Sequence, residues 1–374
     1  MVYIHIPFCR QKCSYCNFHF STSLRWKEQM LLAIRREIEL RAGELNAKVL
    51  PSLYFGGGTP SLLSVSEMGG LMEVLQRYYD FSDTAEITLE ANPEDLSTDF
   101  LKGLVSLGVN RLSVGIQSFF DEDLKLMNRS HSGQQAEAAV KRSQDAGIEN
   151  LSIDLIYGSP VSDFSQWEAN LDRAVALEVP HVSSYALTVE PRTALQAWVQ
   201  KGRLQAPSEG TQNRQFFHMV DVLTREGFEH YEISNFAKKG FRSRHNSAYW
   251  NYEPYLGIGP SAHSYDGEGR RSWNVANNAH YLKALSAGEL PLEQEFLSEK
   301  DRYNEWLMIG LRTADGVDLS LLDTAFSEEI RRHYRKEAGR KLEAGLLTEA
   351  QGRLRIPSRH WFMADGIASD LFVL

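Results

Sequence analysis

The feature that most constrains this chain is a rhythm in which six short apolar, β-branched or aromatic runs alternate with longer stretches of helical spacing. The runs are Tyr3 to Ile6, Ser52 to Phe55, Glu86 to Leu89, Arg111 to Ile116, Leu151 to Ile153 and Val182 to Tyr185. Each has the length and composition of a strand. After the first, Leu24 to Leu40 sets Met30, Leu31, Ile34 and Ile38 on one face among charged neighbours, which predicts an amphipathic helix. After the third, Ser97 stands at an N-cap position, Phe100, Leu101, Leu104, Val105 and Leu107 form an apolar stripe, and Gly108 supplies the stop. Repeated strand-helix units predict a parallel sheet wrapped by helices, either a partial barrel or an open doubly wound sheet.

The residues at the C-terminal end of each strand favour the barrel. Just past the first comes Cys9-Arg10-Gln11-Lys12-Cys13-Ser14-Tyr15-Cys16, a C-x3-C-x2-C loop. After the second comes Gly56-Gly57-Gly58-Thr59-Pro60, whose missing side chains would let a ligand approach the backbone. Glu90 comes after the third, Gln117 after the fourth, Asp154 ends the fifth, and Arg129 lies between the fourth and fifth. In a β/α barrel the C-terminal strand ends form the site, so all of these would meet at one mouth. Taken singly, each has an ordinary explanation: a helix cap, a surface ion pair, a turn.

The three cysteines are the only ones in the chain, an odd number packed into one loop. That is no disulfide framework, and it points to a metal site in a reducing compartment. A structural zinc ion needs four protein ligands and would have to recruit His5 or His19. A 4Fe-4S cubane has four irons, so three cysteines leave one open to a substrate or cofactor. Three unrelated buried cysteines is the remaining alternative.

The net charge of −9 argues against coating nucleic acid or an anionic membrane. No run approaches the roughly 18 apolar residues of a membrane span, and Met1 to Pro7 does not read as a signal peptide, so the expected location is cytoplasmic. After about residue 205 the rhythm changes. A helix is expected over Thr211 to Glu226, then Tyr231-Glu232-Ile233-Ser234, then a polar, aromatic, glycine-rich region through Asp266 that reads as loops around a site. From Ser298 a capping box, Ser298-Glu299-Lys300-Asp301, precedes Trp306, Leu307, Ile309 and Leu311. Lys341 to Leu347 and then Leu354-Arg355-Ile356 suggest a winged-helix arrangement. Residues 298–374 carry 12 Lys/Arg against 13 Asp/Glu, a net −1, which does not suit a DNA reader. The expected division is 1–205 barrel, 206–297 barrel extension and 298–374 C-terminal domain.

Tyr3-Ile4-His5-Ile6-Pro7-Phe8-Cys9, the glycine turn, Glu90-Ala91-Asn92-Pro93, Gly115-Ile116-Gln117-Ser118, Asn128-Arg129-Ser130-His131 and Asp154-Leu155-Ile156-Tyr157-Gly158 together resemble the oxygen-independent coproporphyrinogen III oxidase family. His245-Asn246-Ser247-Ala248-Tyr249-Trp250 and Gly257-Ile258-Gly259-Pro260-Ser261-Ala262-His263-Ser264-Tyr265 resemble its HemW branch of heme chaperones. The resemblance implies an α/β fold, a partial (β/α)6 radical-SAM barrel with a C-terminal winged-helix-like α+β domain. It implies a 4Fe-4S cluster on Cys9, Cys13 and Cys16, with S-adenosyl-L-methionine on the open iron. Tyr3, Gly57, Gly58, Thr59, Glu90, Gln117, Arg129 and Asp154 match cofactor-contacting positions. Residue chemistry agrees: Arg129 suits a carboxylate, Asp154 ribose hydroxyls, and Glu90 an ammonium or hydroxyl.

The chain departs from the decarboxylating oxidases where Phe18 stands in place of their fourth cysteine, and in lacking the N-terminal extension they carry ahead of Tyr3. The implied function is therefore heme trafficking, with heme or porphyrin, an acceptor hemoprotein and an electron donor as partners. The alternatives are a coproporphyrinogen oxidase, another radical enzyme acting on a tetrapyrrole, or a zinc-stabilised regulator. The heme region would comprise His245, Asn246, Tyr249, Trp250 and His263, with either histidine, in a loop, as axial ligand. The competing reading of both is a hydrogen-bonded structural histidine beside core aromatics.

Overall fold

The computed structural model describes residues 1–374. Six parallel strands are laid side by side in sequence order: β1 (Val2–Ile6), β2 (Val49–Gly57), β3 (Asp80–Ala91), β4 (Arg111–Gln117), β5 (Asn150–Tyr157) and β6 (His181–Ala186). A doubly wound sheet reverses its order at a switch point. This one does not, so right-handed crossovers put every connecting helix on one face and curl the sheet into a partial barrel.

Alternation along the strands separates two chemistries. Ile4, Ile6, Leu53, Phe55, Ile87, Leu89, Leu112, Val114, Ile153 and Leu155 face outward into one apolar core with Met30, Ile34, Leu71, Leu104, Val140 and Leu171 from the helices. The intervening positions, among them Tyr3, Tyr54, Glu86, Glu90, Arg111, Ser113, Asp154 and Ser183, line the inside. The helix starts are fixed locally. Ser97 accepts from the Phe100 amide, while Ser64, Ser132, Asp163 and Ser298 each form a capping box.

The segment expected as loops is structured. Strands β7 (Glu229–Glu232) and β8 (Asn235–Ala237) extend the sheet beyond β6 in antiparallel fashion, and β9 (Leu256–Ile258) adds to the other edge, parallel to β1. Gly259 allows that approach, since a Cβ there would lie 2.5 Å from the His5 carbonyl oxygen, while Gly257 makes room for the chain that follows, where a Cβ would lie 1.9 Å from the His263 carbonyl oxygen. A second sheet joins β10 (His263–Tyr265), β11 (Arg270–Asn274) and β12 (Leu292–Phe296).

Behind β9 lies an ion pair between Glu37, on the Lys27–Leu40 helix, and Arg41, the residue that caps that helix. Glu37 and Arg41 are both fully buried, 2.9 Å apart. Arg41 donates to Gly257 O and Ser264 Oγ, and Glu37 accepts from Gly259 N, Asn274 Nδ2 and Tyr281 OH.

The C-terminal module has helices Glu299–Gly310, Ser320–Ala325 and Glu328–Glu343, with β13 (Val317–Asp318), β14 (Thr348–Ala350) and β15 (Arg353–Arg355) forming a small antiparallel sheet. This is the order of a winged helix. Its tie to the barrel is partly backbone: Ile233 N donates to Arg312 O, Ala314 N to Tyr231 O, and Glu232 bridges Thr313. No helix is long and apolar enough to cross a membrane.

Candidate cofactor site

Strand alternation carries Tyr3, Glu90 and Asp154 to the inner face, and the loops after β1, β2 and β4 carry the cysteines, the glycine turn and Arg129 to the same C-terminal rim. The Tyr3 and Tyr54 rings stack at 5.9 Å. Tyr54 OH donates to Glu90 at 2.8 Å and the Gly57 amide to its second oxygen at 3.2 Å. Ser113 Oγ donates to Asp154 at 3.0 Å. Arg129 donates through Nη2 to Gly115 O at 2.7 Å and Asn92 Oδ1 at 2.6 Å, and through Nη1 to Cys13 Sγ at 3.5 Å. One guanidinium thus links the cysteine loop to the ends of β3 and β4.

The glycine turn packs tightly against the chain itself. A Cβ at Gly58 would meet Phe8 O at 2.5 Å and Ile6 O at 2.9 Å, and one at Gly57 the His5 ring at 2.6 Å. The end of β1 and the start of the cysteine loop press on these two glycines, held by Gly58 N to Ile6 O and Thr59 N to Phe8 O. Gln117, 8% exposed, has a left-handed φ of 67° where the β4 register shifts.

Burial sets the electrostatics. It raises Glu90 to about 7 and Asp154 to about 6, against the pull of their hydrogen-bond donors. Cys9 is pushed up to about 11 by burial, with a Thr59 hydrogen bond opposing. That thiol therefore keeps its proton until a metal displaces it.

All three cysteines are half-buried and free. No group of three or more His, Cys, Asp or Glu side chains is gathered tightly enough for a single ion. The imidazoles that would complete a zinc site are engaged elsewhere: His5 Nε2 donates to His19 O at 3.0 Å, and His19 Nε2 contacts Asn278 Oδ1 at 2.7 Å. A mononuclear zinc would need sulfurs about 3.8 Å apart, whereas a cubane takes its thiolates at separate, wider corners. The donor set fits a cluster with three protein ligands.

The histidine region is not a loop at this rim. His245 lies on a helix, Arg244–Trp250, and is 1% exposed. Its Nδ1 meets Ser52 Oγ at 2.8 Å and its Nε2 Tyr249 OH at 3.1 Å, while its backbone amide and that of Arg244 donate to Glu86. Ser52 and Glu86 pair across β2 and β3 on the side away from the C-terminal rim, so this helix floors the barrel opposite the cysteine loop. Asn246 and Trp250 are half-buried beside it. His263 opens β10, is exposed, and stacks on Trp273 at 5.8 Å. The signal missed in both cases was tertiary: only the partner strands reveal that one histidine is a floor and the other a surface residue.

Residues 3–174 match the radical SAM superfamily and 297–363 the HemN C-terminal domain. The chain is 33% identical over 365 residues to the heme chaperone HemW of Lactococcus lactis subsp. lactis (strain IL1403), covering 98% of this chain and 95% of that one. It is 36% identical over 318 residues to HemW of Bacillus subtilis (strain 168), 84% of each. With the mitochondrial radical S-adenosyl methionine domain-containing protein 1 of Danio rerio it shares 31% over 325 residues, 84% of this chain and 73% of that one. Coproporphyrinogen III oxidase (HemN) from Escherichia coli superposes with a TM-score of 0.86 at 24% identity, covering 100% of this chain and 89% of that one, so the two share a fold.

Proposed function

Because the chain belongs to the HemW family, the heme-chaperone branch of the radical S-adenosylmethionine proteins, we propose that it binds heme and passes it to an acceptor hemoprotein, with a 4Fe-4S cluster and S-adenosylmethionine as resident cofactors. The observation that carries this reading is similarity to heme chaperones along essentially the whole chain.

Cys9, Cys13 and Cys16 hold the cluster, leaving one corner open. Arg129 binds the cofactor carboxylate, Glu90 accepts from an N–H or O–H donor, Asp154 takes the ribose, and Tyr3, Gly57, Gly58, Thr59 and Gln117 complete the walls. When bound, the pair supplies one-electron chemistry at a sulfonium. Phe18, 69% exposed, occupies the place of a fourth cysteine on this loop. Of the two candidate heme ligands, His263 is the one that meets a planar ligand without unfolding the barrel, with Trp273 as a flat neighbour. An external electron donor and a cytoplasmic setting complete the proposal.

The polar inner wall favours a second reading, a radical enzyme acting on a tetrapyrrole. Anaerobic reconstitution separates the two. The chaperone reading expects about four irons and one heme per chain, with a Soret band on heme titration and no turnover of coproporphyrinogen. Formation of protoporphyrinogen in the presence of reductant and S-adenosylmethionine, or failure to retain heme, would overturn it.

A further inference from the structure

We infer that His131 is a positioning residue that aims Arg129 at the carboxylate of the cofactor by holding the bulged end of β4. The inference rests on the reading that S-adenosylmethionine occupies this rim.

Arg129 is aimed by two anchors, Gly115 O and Asn92 Oδ1. Neither belongs to its own loop, so both must be held still. Gly115 is where the β4–β5 register shifts, and the chain leaves the strand through Gln117 at a φ of 67°. A bulge disrupts the ladder locally, and a non-glycine residue in the left-handed region persists only when its surroundings fix it.

His131 supplies that fixation. It is 4% exposed, and its Nε2 donates to the carbonyl of Ile116, the residue between Gly115 and Gln117, at 3.0 Å. Its Nδ1 faces Glu94 Oε2 at 3.4 Å, and Ser130 Oγ also donates to Glu94. Glu94 lies two residues beyond Asn92 on the turn after β3. Arg129, Ser130 and His131 therefore clasp both turns that carry the arginine's anchors.

The clasp closes over an absent side chain. A Cβ on Gly115 would lie 2.8 Å from Gln117 Nε2, 3.3 Å from Arg129 Nη2 and 3.8 Å from Asn92 Oδ1. A methyl there would displace the Gln117 amide and press on the guanidinium.

The test compares binding of S-adenosylmethionine with that of its decarboxylated analogue, which lacks the group Arg129 is aimed at. Equilibrium dialysis uses the reconstituted full chain. His131→Leu is expected to weaken S-adenosylmethionine about tenfold while leaving the analogue within about twofold, as expected for loss of one charge-assisted contact. His131→Gln, which keeps a donor at the ring-tip distance, retains most of the preference. Asn92→Ala, which removes one of the arginine's two anchors, reproduces the selective loss by a different route, should His131→Leu fold poorly. Equal weakening of both compounds, or an unchanged preference, overturns the inference while leaving the cofactor assignment intact. Wild-type protein that binds neither compound overturns the assignment and the inference together.

Discussion

The Tyr54 hydroxyl donates to Glu90 across 2.8 Å, yet burial keeps that carboxyl at about 7. Because the folded value is raised, the bound proton stabilises the fold fully below the unfolded value, and that contribution is lost as pH rises through about 7. Ligand binding has the opposite sign, since an ionised Glu90 is the better acceptor. Titration calorimetry of the reconstituted protein should show S-adenosylmethionine tightening from about pH 6 to 8. Glu90→Gln should flatten the profile, and a flat wild-type curve would refute the role.

Cys13→Ala removes a half-buried thiol that touches Arg129. Iron and acid-labile sulfide after reconstitution should fall to near zero while far-UV circular dichroism stays unchanged. Retention of a full cluster would show that Cys13 is not one of its ligands.

The two histidines should separate by readout. His245→Ala leaves Ser52 and Tyr249 without their buried partner and should cost about 1–3 kcal/mol of stability, seen as a lower Tm, with the heme Soret band retained. His263→Ala should do the reverse. Loss of the Soret band in a stable His245 variant would relocate the ligand to the barrel floor.

Arg41→Ala strands the buried Glu37 carboxylate beneath β9. Removing one member of a buried pair costs about 3–5 kcal/mol, equivalent to a Tm fall of about 4–6 °C for a chain of this length. Differential scanning calorimetry checks this, and a Tm change within a degree or two of wild type would contradict the network described around Gly257 and Gly259.

Local chemistry made much of the barrel legible. Ser97 and Gly108 bound their helix as expected, Gly108 with a φ of 84°, and Ser298 with Asp301 forms its capping box. The six core strands lie where apolar runs alternate with polar residues, because one face meets helices and the other the lumen. The small β9 strand was opaque, since Leu256-Gly257-Ile258 has no period of its own and its partner lies at the other end of the sequence. The burial of Glu37 and Arg41 is imposed by that same distant strand. The helix Arg244–Trp250 is too short to announce itself, and its capture by Glu86 depends on a strand about 160 residues earlier.

The backbone bonds between Tyr231, Ile233 and the 312–314 segment carry a consequence for the whole chain. An exposed outer strand is a template for pairing with another molecule. By laying a stretch of its own backbone along β7, the C-terminal module acts as an edge guard. A polypeptide ending near residue 297 would display an unsatisfied ladder there and tend to self-associate, whatever its affinity for cofactors.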